Sequence, residues 1–149
     1  MKSKYVMPCL LIFLFACSGL KQVPAINQGL GGYVYQLQGN QMPSPGKPAS
    51  HGRGVSREIY IYEPTSISQT EGSSPVFKAI KTRLVARAKS DSLGHYSVNL
   101  APGKYSVFIK EGQQFFAAES NGDGILNPVT IAPKTITPKN FTITINAVY

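Results

Sequence analysis

The fold of this chain is decided by residues 90–107, which read SDSLGHYSVNLAPGKYSV. Tyr96, Val98 and Leu100 alternate with polar residues, and the alternation resumes after the turn residues Pro102-Gly103. A period of two places one face of a β-strand on a core and the other face in water. We therefore predict two short, half-buried strands that lie beside each other, with Pro102-Gly103 as the tight turn that sets their register.

The same period continues along the chain, for example at Phe141, Ile143 and Ile145. Short alternating segments that are separated by Gly and Pro turns favour an antiparallel β-sandwich. The fold class is therefore predicted to be all-β, with polar loops at 39–55 and 64–75. Strands are expected near residues 31–38, 57–63, 81–89, 95–100, 103–110, 113–118, 127–132 and 139–148.

Residues 76–89 fit two periods at once. Their apolar residues could share one face of a helix, whereas the segment from Ile80 onward also alternates between apolar and basic residues. Because the neighbouring segments are predicted strands, we expect a strand at 81–89. A short helical turn near 75–80 stays open.

Within the opening stretch, an acid, a turn glycine, two aromatics and a Pro-Gly pair follow one another as Asp91, Gly94, Tyr96, Pro102-Gly103 and Tyr105. This order resembles the signature of carboxypeptidase regulatory-like domains, which belong to the transthyretin-like (prealbumin-like) group. The resemblance implies an antiparallel Greek-key sandwich of seven to eight strands, prealbumin-like or Ig-like, over residues 29–149. Tyr96 and Tyr105 are expected to project into its core.

The N-terminus has the features of a secretory signal peptide. Lys2 and Lys4 precede an apolar run at 10–15, and the small residue Ala16 stands directly before Cys17. The run is too short for a comfortable permanent membrane span. Because a cysteine follows the small residue, the segment resembles a bacterial lipoprotein signal. That resemblance implies lipidation of Cys17 and cleavage after Ala16.

Residues 1–16 are therefore predicted to be a lipoprotein signal peptide and residues 17–28 a lipidated tether. Ser18 stands where an Asp often signals retention in the inner membrane, so the outer membrane of a Gram-negative bacterium is favoured. Both cysteines of the chain, Cys9 and Cys17, are accounted for by the signal. The domain is expected to rest on hydrophobic packing without a disulfide.

Basic residues give the 149-residue chain a formal net charge of +8. The predicted strand at 81–89 carries Lys81, Arg83, Arg87 and Lys89 with no acid between them. Such a stripe can bind anionic lipid headgroups or acidic glycan, and it can also be a solvated strand face. No nucleic-acid motif accompanies it, so nucleic acid is not expected as a partner.

Catalytic patterns are sparse in this sequence. The imidazoles are His51, in a Gly/Pro loop, and His95, on a predicted polar strand face. The sequence has neither a His-Glu-x-x-His metal motif nor a Gly-x-Ser-x-Gly nucleophile elbow. The transthyretin-like hydroxyisourate hydrolases end in Tyr-Arg-Gly-Ser, whereas this sequence ends in residues 146–149, Asn-Ala-Val-Tyr. An enzyme is therefore not expected.

Two further features could bind a ligand. Asn121 and Asp123 lie in a Gly-rich segment that faintly resembles a calcium loop, although a hairpin turn explains it better. No other cofactor is expected. Tyr33 with Tyr35, and Phe115-Phe116, could form a stacking surface for sugar or peptide, although most aromatics of a sandwich lie in its core.

These observations predict a non-catalytic envelope lipoprotein, a membrane-anchored β-sandwich that serves as a binding or structural module. Its expected partners are the membrane, reached through the lipid on Cys17, and an envelope protein or anionic glycan. The alternative is an accessory subunit of an envelope hydrolase or peptidase, or a hydrolase whose site the sequence does not reveal. A cluster of a histidine with an acid in a deep pocket would favour that alternative.

Overall fold

Twelve β-strands and one 3₁₀ turn form the regular structure of residues 26–42, 45–46 and 50–148, which this computed structural model describes. Cys17, the predicted signal peptide at 1–16 and most of the predicted tether at 17–28 lie outside these residues. The 3₁₀ turn spans Ile67–Gln69. The strands are β1 (Gly29–Asn40), β2 (Arg53–Gly54), β3 (Glu58–Tyr62), β4 (Thr70–Ser73), β5 (Val76–Ile80), β6 (Leu84–Lys89), β7 (His95–Asn99), β8 (Gly103–Glu111), β9 (Gln114–Phe116), β10 (Pro128–Ile131), β11 (Ile136–Pro138) and β12 (Phe141–Val148).

The strands are arranged in two sheets, and the predicted all-β sandwich is confirmed. In the first sheet, β1 pairs with all four other strands, antiparallel with β2 and β7 and parallel with β11 and β12. The second sheet is antiparallel throughout and has the order β4-β5-β9-β8-β3-β6, with β10 also paired to β8.

One hydrophobic core lies between the two sheets. Its buried side chains come from both sheets and include Leu30, Val34, Ile59, Ile61, Tyr96, Val107, Ile109, Phe116, Phe141 and Ile143. Burying a side chain of this size stabilises the fold by about 1.5–3 kcal/mol relative to leaving it exposed. Because the described residues contain no cysteine, this packing takes the stabilising role that disulfides have in many small secreted domains.

A second, smaller cluster lies on the outer side of the second sheet. Tyr62 and Phe108 belong to it, and each alternates along its strand with residues that face the core. Phe77, Ala117 and Leu126 complete the buried part of this cluster. The second sheet is therefore packed on both of its faces. The more exposed residues on its outer side pack against the buried side chains of this second cluster.

The two strands of the opening stretch lie in different sheets, which corrects the expectation that they lie side by side. β7 pairs with β1, whereas β8 pairs with β3, β9 and β10. The turn at Pro102-Gly103 thus crosses from one sheet to the other. A core between two sheets satisfies both alternating patterns at once, because the apolar faces of β7 and β8 meet across it. Tyr96 is buried, as predicted, whereas Tyr105 is half-buried at the margin of the core.

Other differences concern the predicted loops. Residues 76–80 form strand β5 instead of the helical turn left open at 75–80, because they pair with β4 and β9. The strand expected at 81–89 begins at Leu84. The loops predicted at 39–55 and 64–75 contain the short strands β2 and β4, whose polar sequences carry no clear alternation.

A five-residue turn occurs twice with the same hydrogen bonds. In Asp91–His95, Asp91 Oδ1 accepts bonds from the backbone N–H groups of Leu93 and His95, each at 2.9 Å. In Asn121–Ile125, Asn121 Oδ1 accepts bonds from the N–H groups two and four residues later, at 3.1 and 2.9 Å. Gly94 and Gly124 occupy the fourth position with φ of 86° and 74°, a region that favours glycine.

The first turn packs directly on β2, which leads to a prediction for Gly54. A Cβ atom on Gly54 would lie 1.9 Å from the carbonyl oxygen of Leu93, a backbone atom that cannot move without distorting the turn. We expect Gly54→Ala to lower the free energy of unfolding by about 1–3 kcal/mol. Gly122→Ala is the matched control, because among the described residues no atom beyond its two chain neighbours lies within 4 Å of the position that its Cβ would take. Equal urea midpoints for the two variants would contradict this packing.

Tyr96 supplies a prediction for alkaline pH. Burial raises the pKa of Tyr96, whose hydroxyl donates a hydrogen bond of 2.7 Å to the carbonyl oxygen of Lys139. A raised pKa in the folded state means that stability is fully present below the unfolded-state pKa of about 10 and is lost as the pH rises above it. Tyr96→Phe lacks the bond, which costs about 1 kcal/mol, but cannot ionise.

We therefore expect the stability difference between the wild type and Tyr96→Phe to shrink between pH 8 and pH 11. The measurement is urea unfolding of both proteins at each pH. A difference that stays constant over this range would show that Tyr96 ionises equally easily in the folded and unfolded chain.

Candidate binding face

The strand register brings charged and aromatic side chains together on the outer side of the second sheet. Glu58 pairs with Lys89 and Tyr60 pairs with Arg87, because β3 lies beside β6. Lys110 lies one residue beyond the pair formed by Ile59 and Ile109 on the other side of β3. We call the resulting surface the cationic aromatic face; it consists of Glu58, Tyr60, Arg87, Lys89, Lys110 and Phe115.

Aromatic rings form the floor of this face. The rings of Tyr60 and Phe115 meet edge to face with centroids 5.3 Å apart, and both are half-buried. Phe115 also contacts the fully buried ring of Phe108 at 6.5 Å, which in turn packs against Tyr62 at 5.7 Å. The two outer rings are thus fixed from below by the second cluster and present part of their surface to solvent.

Two cations lie over the outer rings. The guanidinium carbon of Arg87 is 4.8 Å from the Tyr60 centroid, and Lys110 Nζ is 4.0 Å from the Phe115 centroid. Lys110 Nζ also donates a hydrogen bond of 3.1 Å to the carbonyl oxygen of Gln113. Each cation–ring contact is worth about 0.5–1 kcal/mol at an exposed site. The ring contacts therefore hold both cations in place without neutralising their charge.

The cationic aromatic face carries a net positive charge. Arg87, Lys89 and Lys110 supply three positive charges and Glu58 one negative charge. Glu58 accepts a hydrogen bond of 3.1 Å from the hydroxyl of Tyr60. Burial raises the pKa of Tyr62 beneath the face, Tyr60 raises it further, and Arg87 lowers it. Tyr62 therefore stays neutral near pH 7 and adds no negative charge to the face.

The shape of the surface also suits a ligand. Glu58, Tyr60, Arg87, Ala88 and Lys89 line a shallow depression in the sheet surface. An anionic group placed there can contact guanidinium and ammonium groups, while an apolar part can pack against exposed ring edges. The arrangement can therefore bind an anion.

The structure separates the four cations predicted to share one strand face. Arg87 and Lys89 lie on the cationic aromatic face, whereas Lys81 and Arg83 precede β6. Lys81 Nζ lies 3.7 Å from a carboxylate oxygen of Glu71, and Arg83 forms two hydrogen bonds of 2.9 and 2.6 Å with Glu63. These acids lie outside the 81–89 segment, so the basic stripe along the chain does not reveal them.

The position of β6 offers a second explanation for its charges. β6 is the last strand of the second sheet, and its outer edge has no paired strand among the described residues. Lys and Arg on such an edge prevent another sheet from adding to it. This structural role accounts for cations on β6, but it does not account for Lys110 on the interior strand β8.

Sequence reasoning missed three members of the face, namely Glu58, Tyr60 and Lys110. Each belongs to an alternating pattern, which shows that its side chain faces away from the core. The pattern does not show which strands are neighbours, so it could not bring these residues together. The available signal was the i, i+2 pair of Glu58 and Tyr60 on one predicted strand.

The other predicted ligand residues lie elsewhere. The rings of Tyr33 and Tyr35 lie nearly parallel on the first sheet, with centroids 5.8 Å apart, and exposed His95 meets Tyr33 at 5.3 Å. His51 is also exposed. Phe116 is buried in the core while Phe115 faces outward, as expected for adjacent residues of one strand.

The described part of the chain offers no cluster for a metal ion. It contains no group of three or more His, Cys, Asp or Glu side chains placed to hold one. In the segment that resembles a calcium loop, Asn121 Oδ1 is occupied by two backbone N–H groups, while Asp123 is exposed. Residues 26–42, 45–46 and 50–148 include no helix long and apolar enough to cross a membrane.

No protein-family model matches the chain, and comparisons with curated proteins and with solved structures also find no match. The likeness of residues 90–107 to carboxypeptidase regulatory-like domains therefore stays a prediction from those residues.

Proposed function

We propose that this chain is a non-catalytic lipoprotein of the cell envelope, with a carboxypeptidase regulatory-like domain that binds an anionic glycan. One observation carries the choice of ligand, namely that the cationic aromatic face combines two ring-bound cations with half-exposed rings. Arg87 lies over Tyr60 and Lys110 lies over Phe115, at 4.8 and 4.0 Å from the ring centroids.

An acidic polysaccharide matches both parts of this surface. Its carboxylate or phosphate groups pair with guanidinium and ammonium groups, and the apolar C–H surfaces of its sugar rings pack on aromatic side chains. Glu58 can accept hydrogen bonds from sugar hydroxyl groups. A purely electrostatic surface would need the cations alone, so the aromatic floor is what favours a glycan over a small inorganic anion.

The anchor is the second part of the proposal. Residues 1–16 act as the signal peptide, Cys17 carries the lipid, and residues 17–28 connect it to the domain at the outer membrane of a Gram-negative bacterium. Support comes from the apolar run at 10–15 followed directly by Ala16 and Cys17. The alternative of a hydrolase or its accessory subunit stays a prediction, and no arrangement of the described residues favours it.

The glycan proposal predicts that charge reversal on the face weakens binding. We expect the mature protein to bind polygalacturonate, an acidic polysaccharide, and not neutral dextran, in affinity electrophoresis. The double variant Arg87→Glu, Lys110→Glu should lose affinity by about tenfold or more, equivalent to about 1.4 kcal/mol. Binding should also weaken as salt rises from low to physiological concentration.

The matched control for this experiment is the double variant Lys78→Glu, Lys104→Glu. It has the same change in net charge, but both lysines are exposed and lie outside the cationic aromatic face. If both double variants lose affinity equally, binding depends on net charge alone and the face is not the site. If the wild type does not bind polygalacturonate at low salt, the proposed ligand class is wrong.

The anchor leads to a separate prediction about Cys17. Its thiol is the expected acceptor of the diacylglyceryl group, so Cys17→Ser should abolish fatty-acid labelling and cleavage after Ala16. Metabolic labelling followed by mass measurement of the mature chain checks both effects, with Cys9→Ser as the control for a cysteine within the signal. Fatty-acid label that persists in Cys17→Ser would refute the anchor.

A further inference from the structure

The end of the sandwich at which β1 begins has a distinctive composition. The turn from β7 to β8 and the turn from β10 to β11 lie together there, because Gly29 pairs with both Asn99 and Ile136. The two turns have similar sequences, Ala-Pro-Gly-Lys at 101–104 and Ala-Pro-Lys at 132–134. We call this surface the anchor end; it consists of Gln28, residues 101–104 and residues 132–136.

The side chain of Gln28, directly before β1, forms hydrogen bonds with both turns. Its Nε2 donates a hydrogen bond of 2.9 Å to the carbonyl oxygen of Leu100, and its Oε1 accepts one of 2.9 Å from the N–H of Lys134. The N–H of Gly29 also donates a bond of 3.0 Å to the carbonyl oxygen of Thr135. The chain that leads back to Cys17 therefore enters the domain at the anchor end.

The length of chain before Gln28 limits how far this end can lie from the anchor. Eleven residue steps separate Cys17 from Gln28, which span at most about 40 Å when fully extended. The anchor end is the nearest part of the domain to the lipid along the chain. A tether of this length also raises the local concentration of that surface at the membrane.

The chemistry of the anchor end fits an anionic lipid surface. Lys104 and Lys134 are both exposed, and neither forms an ion pair with any residue that the structure describes. Exposed Ala and Pro residues surround them, and Ile136 is 44% exposed. Glu63, which lines one depression together with Lys104, is already paired with Arg83. The surface is thus positive and mildly apolar.

We propose that the anchor end rests against anionic phospholipid headgroups, with Lys104 and Lys134 contacting their phosphates, and so orients the domain on the membrane. This inference rests on the lipid anchor of the proposed function. A lysine near an anionic bilayer surface favours binding about fivefold, so the two lysines favour this orientation about 30-fold. In this orientation the anchor end lies at the lipid headgroups, and the opposite end of the domain lies in water.

The orientation determines where the cationic aromatic face lies. Lys110 is seven residues along β8 from Gly103, a distance of about 23 Å at the rise of a β-strand. The membrane surface potential decays over about 8 Å at physiological salt. The cations of that face therefore lie outside the range of the headgroup potential. They stay free to bind glycan at a distance from the membrane surface.

The experiment compares two variants of the full, lipidated chain, each with one fluorophore, placed at the anchor end in one variant and at the opposite end of the domain in the other. Cys17 is occupied by lipid and the mature chain has no other cysteine, so Ala132→Cys labels the anchor end and Gln113→Cys labels the turn between β8 and β9 at the opposite end. Both side chains are exposed. The chains are reconstituted in phosphatidylcholine vesicles with phosphatidylglycerol, and quenching by a headgroup nitroxide lipid is measured.

We expect quenching to be at least about threefold stronger at position 132 than at 113. The about 30-fold preference for the orientation keeps position 132 near the headgroups most of the time. The double variant Lys104→Gln, Lys134→Gln should reduce the difference to the smaller bias that the tether alone imposes. The control Arg53→Gln, Lys78→Gln should preserve it, because it removes the same charge from exposed positions outside both the anchor end and the cationic aromatic face. In vesicles of phosphatidylcholine alone, or at high salt, the difference should fall to the same smaller bias.

Two negative results have different meanings. Equal quenching at both positions, in chains whose mass shows the lipid on Cys17, overturns the proposed orientation and leaves the anchor in place. A mature chain without the lipid mass overturns the anchor, and the orientation with it. A difference that is as large in the Lys104→Gln, Lys134→Gln variant as in the wild type overturns the role of the two lysines.

Discussion

The pairing of β1 with four other strands is the constraint on which the first sheet depends. β2, β7, β11 and β12 all pair with β1, and the first sheet exists only through these contacts. Leu30 and Val34 of β1 are fully buried and face the core, so the strand also joins the two sheets. Loss of β1 would leave the second sheet without the cover that its inner face requires.

Alternation along the chain predicts the all-β sandwich, since most strands expected from it are present with ends displaced by a few residues. The alternation cannot show which strands are partners. Residues on β7 and β8 have the same pattern whether the two strands lie side by side or in facing sheets, so the crossing turn at Pro102-Gly103 resembles a hairpin in sequence. Strand β5 is ambiguous because its apolar residues, Val76 and Phe77, serve two different clusters on opposite sides of the sheet.

The same limit applies to the candidate site. Arg87 and Lys89 belong to the predicted basic stripe, and both lie on the cationic aromatic face. Lys81 and Arg83 are close to them in sequence, but their acid partners come from other segments of the chain. Lys110 belongs to the face because β3 lies between β6 and β8, a fact of topology that no local pattern contains. The second cluster explains why the rings there are held firmly although they are partly exposed.

The repeated five-residue turn has a consequence for the chemical ageing of the protein. Asn121 precedes Gly122, and an asparagine followed by glycine is the pair most prone to deamidation, in which the side-chain amide nitrogen is lost as ammonia. Within the described residues, the turn uses the Oδ1 atom of Asn121 as an acceptor and leaves its amide nitrogen outside the hydrogen-bond network. In the other copy of the turn, Asp91 accepts the equivalent two bonds with a carboxylate. Loss of ammonia gives a cyclic imide with the Gly122 nitrogen, and water opens that imide to aspartate or, more often, to isoaspartate. Aspartate is a side chain that the fold already uses in the same role at position 91, whereas isoaspartate adds a methylene to the backbone and breaks the hydrogen-bond pattern of the turn.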